Sequence, residues 1–279
     1  MNSKNFWVCL LMLSVCMIGF KTEASAEAPG RCKNKWAVLI GTNEFSDSRW
    51  AYKYAESDVS KFRHYLLEKA DFHPKNVRYL TGGSATKASV EKALFEWLPS
   101  VAGKDDMVVI YIRSHATYSP RYSTVPSYVI FSDTKLDSLS KTGIDSSTLP
   151  RAIIEKVHAL STTMIFDTDF GGNYTLRCDF TDDVSFGNSK FTGNFIWNLM
   201  SSTAPNQIAW ECDEYTGSIF THRLLESIST SKNSIDFFTA AGTCSENVES
   251  DAKKFANRHQ SIDVENMSHI GGIESVSTY

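Results

Sequence analysis

The sequence predicts an α/β domain: a mostly parallel sheet with helices on both faces. Short apolar runs at residues 36–40, 107–112 and 164–166 are of the kind that strands buried on both sides make. Stretches with apolar residues at helical spacing lie between them, and that alternation means parallel strands joined by crossover helices. Two of the runs stop abruptly in polar residues. One ends in Arg113-Ser114-His115, the other in Asp167-Thr168-Asp169-Phe170-Gly171-Gly172. In an open α/β sheet, ligands and chemistry gather just beyond the carboxyl ends of the strands. His115, Asp167 and Asp169 are therefore expected on one rim.

The 279 residues allow one large domain or two small ones, and a hydrophobic fraction of 42% supports a substantial core. Net charge is −4 with no basic block, which argues against nucleic acid as the partner. Residues 1–26 read as a targeting segment. Lys4 supplies a positive start, 6–20 is an uncharged and largely apolar run, and Ala24-Ser25-Ala26 is a cleavage pattern. The run of about 15 residues is short for a membrane span. The expectation is a cleaved signal peptide and an exported protein, periplasmic or secreted, without stable membrane insertion. A retained anchor is the alternative. Cys16 hints at a lipoprotein site, but Val15 is large for one. Cleavage would leave Cys32, Cys178, Cys212 and Cys244, enough for two disulfides in three possible pairings. Buried free thiols are the other reading.

Residues 27–34 read as a linker, and 36–41 as the first strand, ending in Gly41. A helix over 56–69 follows, with Val59, Phe62, Leu66 and Leu67 on its core face. Asp58 falls in its first turn, where the helix dipole favours a carboxylate. A strand at 76–80 is entered through Pro74. Thr86 is the expected N-cap of a helix with Val90, Leu94 and Trp97 inward, closed by Pro99. The His115 strand comes next, then a long rim loop over 116–128, of the kind that shapes a site. A short strand at 128–131 and a helix carrying Ile153, Ile154, Val157 and Leu160 lead into the Asp169 strand. Beyond Gly172 we expect a polar loop with a short helix near 195–200, a strand at 207–210, a helix at 218–228 and a last helix at 246–257. The domain is expected over 35–265, with a C-terminal tail over 266–279. Asn173 and Asn266 head glycosylation triplets, which matter only in a eukaryotic secretory pathway.

A strand ending in Ser-Gly-His-Gly, followed by a strand ending in Asp-x-Cys-His-Ser-Gly, is the signature of caspase-like cysteine peptidases (family C14, clan CD: caspases, metacaspases and bacterial relatives). This chain resembles them in Ser114-His115-Ala116 and in Asp167-Thr168-Asp169-Phe170-Gly171-Gly172. Tyr54-Ala55-Glu56-Ser57-Asp58 and Phe220-Thr221-His222-Arg223-Leu224-Leu225 resemble two further motifs of the family. The resemblance runs from about residue 36 to about 262. It implies the caspase-hemoglobinase fold, His115 as base and a nucleophile at the position that holds Asp169. It also implies a pocket for a basic substrate side chain. Many relatives carry Asp-Gln where this chain has Asn206-Gln207, so one pocket carboxylate is missing, while Asp167 could still supply another. Residues 172–202 correspond to the region where active relatives are often processed.

The replacement of sulfur by carboxylate decides the expected chemistry. A thiolate is nucleophilic near neutral pH and His shuttles its proton. A carboxylate is a poor nucleophile whose attack on a peptide would give a mixed anhydride. Opposite an imidazole it makes an ion pair instead, and an imidazole that already carries its second proton cannot act as a base. The expectation is a pseudo-peptidase, with no cofactor and no metal. It would bind a peptide or protein partner, such as an active caspase-like relative, in the former cleft. The alternative is an active cysteine endopeptidase, although Cys178 and Cys212 are both placed to be structural. Two readings come from other classes. Asp167-x-Asp169 also resembles the motif of Mg²⁺-dependent haloacid dehalogenase-type phosphatases, but it lies mid-chain and lacks the later Lys and acidic pair. It also begins like a calcium loop, but the twelfth position holds Cys178 where a Glu belongs.

Overall fold

The structure is a computed structural model, and it describes residues 32–118, 127–171, 185–186, 189–190, 194–230, 237–270 and 273–278. Its centre is a seven-stranded sheet. The strands are β1 (Lys35–Gly41), β2 (Val77–Thr81), β3 (Met107–Arg113), β4 (Ser161–Asp167), β5 (Phe195–Ser201), β6 (Asp263–Ile270) and β7 (Ile273–Thr278). Their order is β7-β6-β5-β4-β3-β1-β2. The five strands from β2 to β5 run parallel, and β6 and β7 pair antiparallel at one edge.

Alternation along the central strands explains why the apolar runs are continuous. Val38, Ile40, Val108, Ile110, Ile112, Met164, Phe166, Trp197 and Leu199 belong to one apolar layer. Their neighbours Ala37, Leu39, Val109, Tyr111, Ile165 and Met200 belong to the other. A strand that faces a core on both sides can expose neither set of side chains. The second layer is covered by α1 (Ala55–Glu68), whose Val59, Phe62 and Leu66 are fully buried, together with α4 (Ile219–Thr230) and α5 (Phe237–Asp251). The first is covered by α3 (Leu149–Lys156) and by a helix that starts as α2 (Lys87–Lys92). Thr86 caps α2, its side chain accepting from the Ser89 N–H. A π turn, Ala93–Trp97, then carries the helix on to Leu98–Val101. Pro99 therefore does not close it. Pro99 lies just after the π turn, inside a helix that continues to Val101.

Four further expectations are corrected. Residues 195–200 form a strand, not a helix: Phe195, Trp197 and Leu199 recur with period two and face the same core. Residues 207–210 are not a strand; the Ala209 and Trp210 N–H groups go to side chains of Asp169 and Gln260 instead of to a neighbouring strand. The last helix begins at Phe237. Residues 266–279, expected as a tail, contain most of β6 and all of β7, so sheet pairing extends to Thr278. At the other end, Lys33 and Asn34 are tied to the domain through Asp105 and Asp106. Cys32, Cys212 and Cys244 are free thiols, and Cys178 lies outside the described residues.

Candidate functional site

The parallel register sets the rim. Gly41 pairs with Arg113, and Arg113 with Asp167, so β1, β3 and β4 end level. His115 and Asp169 each lie two residues beyond these ends. The His115 side is held by a small antiparallel sheet of Ala116–Tyr118, Ser127–Val129 and Ile144–Asp145, and by the Ile130 N–H donating to the His115 carbonyl at 3.0 Å.

The turn that carries Asp169 is locked from beneath. Thr203 Oγ1 donates to the Thr168 carbonyl at 2.9 Å and accepts from the Gly171 N–H at 2.7 Å. Ser201 Oγ donates to the Gly171 carbonyl at 2.8 Å. Phe170 adopts a positive φ of 55°, uncommon for a side-chain-bearing residue, and its N–H donates to the Gln207 carbonyl at 2.8 Å. A glycine is required at 171 because a Cβ there would stand 2.7 Å from Ser201 Cβ and 2.9 Å from the Thr203 carbonyl oxygen.

This frame brings the two residues into contact. His115 Nδ1 lies 2.6 Å from Asp169 Oδ2. The other carboxylate oxygen, Oδ1, accepts from the Ala209 N–H at 3.0 Å. Asp169 is 3% exposed. The nitrogen–oxygen separation is at the short end for such a bond and suits a charge-assisted one. Three aromatic rings orient the imidazole. Tyr52 stacks on it at 3.7 Å between centroids, and Trp50 and Phe45 stand at 5.2 and 5.5 Å. The pair opens into a cleft of about 580 Å³, lined also by Arg49, Trp50, Thr117, Leu136, Phe170 and Ile208. That volume lies within the range of small-ligand sites. Ile208 is 44% exposed and presents an aliphatic side chain to this cleft.

Asp167 lies elsewhere. It is fully buried, accepts from Thr221 Oγ1 at 2.8 Å, and faces the Arg113 guanidinium at 3.7 Å. In this arrangement it does not reach the cleft to hold a substrate side chain, and sequence pattern had hidden its partner. Nor does it suit the phosphatase reading, since Asp167 and Asp169 are not presented to one point. Among the described residues no group of three His, Cys, Asp or Glu could hold a metal ion. Asn206 is exposed on the adjoining turn and is not part of the cleft lining. Gln207 is structural: its Oε1 accepts from the Ser261 N–H at 2.6 Å and the Ala204 N–H at 3.2 Å.

Several site residues escaped the sequence reading. Tyr52, Trp50 and Phe45 lie in a segment without periodicity, and nothing there marks them as the wall of the imidazole. Arg113 did carry a signal. It is a charge at the end of a run that reads as wholly buried, and such a charge needs a partner. Asp58 and Glu211 join Asp167 around it, with separations of 3.5 and 3.3 Å. Burial pushes the Asp58 carboxyl up to about 7, with Asp167 adding to the effect and Arg113 opposing it. Asp58 also accepts from the Ser218 N–H at 2.9 Å.

Comparison with known proteins agrees with this architecture. The crystal structure of caspase-1 from Spodoptera frugiperda is similar, with a TM-score of 0.53 and 12% identity over 86% of this chain and 91% of that one. At that identity the likeness speaks for the fold alone. A search of curated proteins gave no match. The family model of the caspase domain, peptidase C14, matches residues 34–268, from the start of β1 to near the end of β6. With that match over most of its length, and a rim pair built on the ends of β3 and β4, the chain belongs to the caspase-domain family.

Proposed function

We propose that this chain is an exported pseudo-peptidase that binds peptide or protein segments in the cleft beside His115 and Asp169. One observation carries the reading. The position where the resemblance expects sulfur holds a carboxylate, and both of its oxygens are engaged, one by His115 Nδ1 and one by the Ala209 N–H. An oxygen nucleophile so held lacks the reactivity of a thiolate. The described thiols do not replace it. Cys212 and Cys244 belong to the buried layer beneath α1 and α4, and Cys32 stands at the start of the domain. What remains is a preformed cleft with an apolar side, which suits binding. The expected occupant is a peptide segment, presented by a partner such as an active caspase-like relative.

The test has two arms. Purified protein is offered fluorogenic peptides ending in Arg, Lys or Asp, with His115→Ala as control. No release is expected from either. Release by the wild type that disappears in His115→Ala overturns the reading in favour of an active endopeptidase. Short fluorescein-labelled peptides are then followed by anisotropy. Ile208→Asp and Trp50→Ala are expected to weaken binding by about tenfold, a loss of about 1.4 kcal/mol. Binding that neither substitution alters places the peptide somewhere else.

A further inference from the structure

Behind the His115–Asp169 pair, on the other face of the Tyr52 ring, lies a second cluster. Tyr52 holds the His115 imidazole at 3.7 Å and the Arg113 guanidinium carbon at 3.9 Å from its centroid. One face cannot carry two groups that close, so the ring is a partition with the pair on one side and Arg113 on the other. On the far side three carboxylates from separate elements converge on that one guanidinium. Asp58 comes from α1 and Asp167 from the end of β4. Glu211 follows the 207–210 segment, in the short strand Glu211–Cys212. The nearest separations are 3.5, 3.7 and 3.3 Å. Arg113 and Asp167 are fully buried and Asp58 is 1% exposed.

The match is poor for a pair selected only to brace the fold. A guanidinium that braces usually meets a carboxylate with two parallel bonds at about 2.7–2.9 Å. Here Arg113 Nε has no hydrogen-bond partner, and neither does Asp167 Oδ1, though both atoms are buried. Three acids serve one cation. Arg113 Nη1 donates to the Asp167 carbonyl and Nη2 to Glu211 Oε1, both over a long 3.3 Å, so the carboxylates surround a guanidinium that meets them only in part. Its place in the chain is equally specific: Arg113 stands two residues before His115, and Asp167 two residues before Asp169.

We propose that Arg113 is the internal occupant of an acidic pocket adjoining the His115–Asp169 pair. By filling it, Arg113 keeps basic side chains out and leaves the site to apolar ones. The ligand side chain then rests on Trp50, Leu136, Phe170 and Ile208, the apolar lining of the open cleft. The occupancy half stands on the cluster alone; the selectivity half rests on the peptide-binding reading above. Arg113 is thus a specificity-determining residue that touches no ligand.

The full chain carrying Arg113→Ala is melted with methylguanidinium chloride and, separately, with sodium chloride at equal ionic strength. Methylguanidinium is expected to raise the melting temperature of the variant by several degrees more than sodium chloride does, because a ligand bound only by the folded state stabilises it. The wild type should show no such gain over sodium chloride, since guanidinium salts by themselves weaken folded proteins. Equal effects of the two salts on the variant, or an equal methylguanidinium effect on the wild type, overturn the proposal. Should Arg113→Ala not fold, Arg113→Met keeps the bulk. Adding Asp167→Asn to Arg113→Met is then expected to recover part of the lost stability, and a further loss refutes an acidic pocket. The second half is read from labelled peptides that differ at one position. Wild-type protein is expected to hold those with Leu or Phe about tenfold or more tighter than those with Arg or Lys. A preference for Arg or Lys sinks the selectivity half. If no peptide binds at all, the peptide-binding reading fails and selectivity falls with it, while the melting result still decides who occupies the pocket.

Discussion

Replacing Asp58 with asparagine should flatten the pH dependence of stability. In the folded chain the Asp58 carboxyl is pushed up to about 7, from an ordinary value of 3.8, chiefly because burial disfavours its charged form. The folded state therefore holds this proton more tightly than the unfolded chain does. Between these two values the native state binds more protons, so stability falls as pH rises; the contribution is fully present below the unfolded value and gone above the folded one. From pH 5 to the folded value is about two units, and one unit is about 1.36 kcal/mol, so the loss is about 3 kcal/mol between pH 5 and 8. The asparagine side chain cannot ionise, and its carbonyl oxygen can still accept from the Ser218 N–H that now donates to Asp58. The variant should match the wild type within about 1 kcal/mol at pH 5, the usual size of an isosteric change. At pH 8 it should be the more stable of the two by roughly 3 kcal/mol. Urea unfolding followed by circular dichroism at both pH values measures the difference, with other titrating groups cancelling between the two proteins. Parallel profiles, or a variant weakened equally at both pH values, would show that the buried carboxyl stays ionised and is repaid by Arg113.

Three further sets of outcomes follow from the site. Tyr52→Ala should destabilise by about 3–5 kcal/mol, as for a buried aromatic residue, and should shift the His115 ring protons in NMR spectra as the stacked ring is lost. Tyr52→Phe should cost under about 1 kcal/mol, since the hydroxyl donates to the Ser114 carbonyl over a long 3.4 Å; a large loss would mean that this bond matters more than the stacking. Thr203→Val removes the hydroxyl that ties Thr168 and Gly171, and should cost about 1–3 kcal/mol and speed amide exchange at Gly171; unchanged protection there would place the restraint in Ser201 alone. Asp169→Cys puts a thiol at the rim position, and slow His115-dependent peptide cleavage is the expected gain. A stable but silent variant would show that more of the machinery than the nucleophile is missing.

The central strands were legible because burial on both faces forces continuous apolar runs, and α1 and α4 because an amphipathic helix repeats its core residues every turn. Local pattern reached as far as the pairing of rim motifs: a polar residue placed just after a buried strand has few places to go. Pattern failed where two structures share a spacing or none is present. Residues 195–200 are too short to separate period two from helical periodicity without knowing that β4 and β6 flank them. Residues 207–210 look like a strand, yet their N–H groups are claimed by Asp169 and Gln260. The pairing of β6 and β7 depends on an edge that only the assembled sheet supplies.

By itself the sequence determined the α/β architecture and the two rim motifs with the residues that stand in them, because strand periodicity and side-chain chemistry are local properties. Only the tertiary structure decided what each carboxylate faces. Asp169 turns to His115, while Asp167, two residues earlier, turns towards α1 and α4 and is held by Arg113 and Thr221. The two differ in role because charges in a low-dielectric interior are governed by neighbours brought from distant parts of the chain. For Asp167 those neighbours are a guanidinium from the next strand and a hydroxyl from a helix, neither of which spacing could have named.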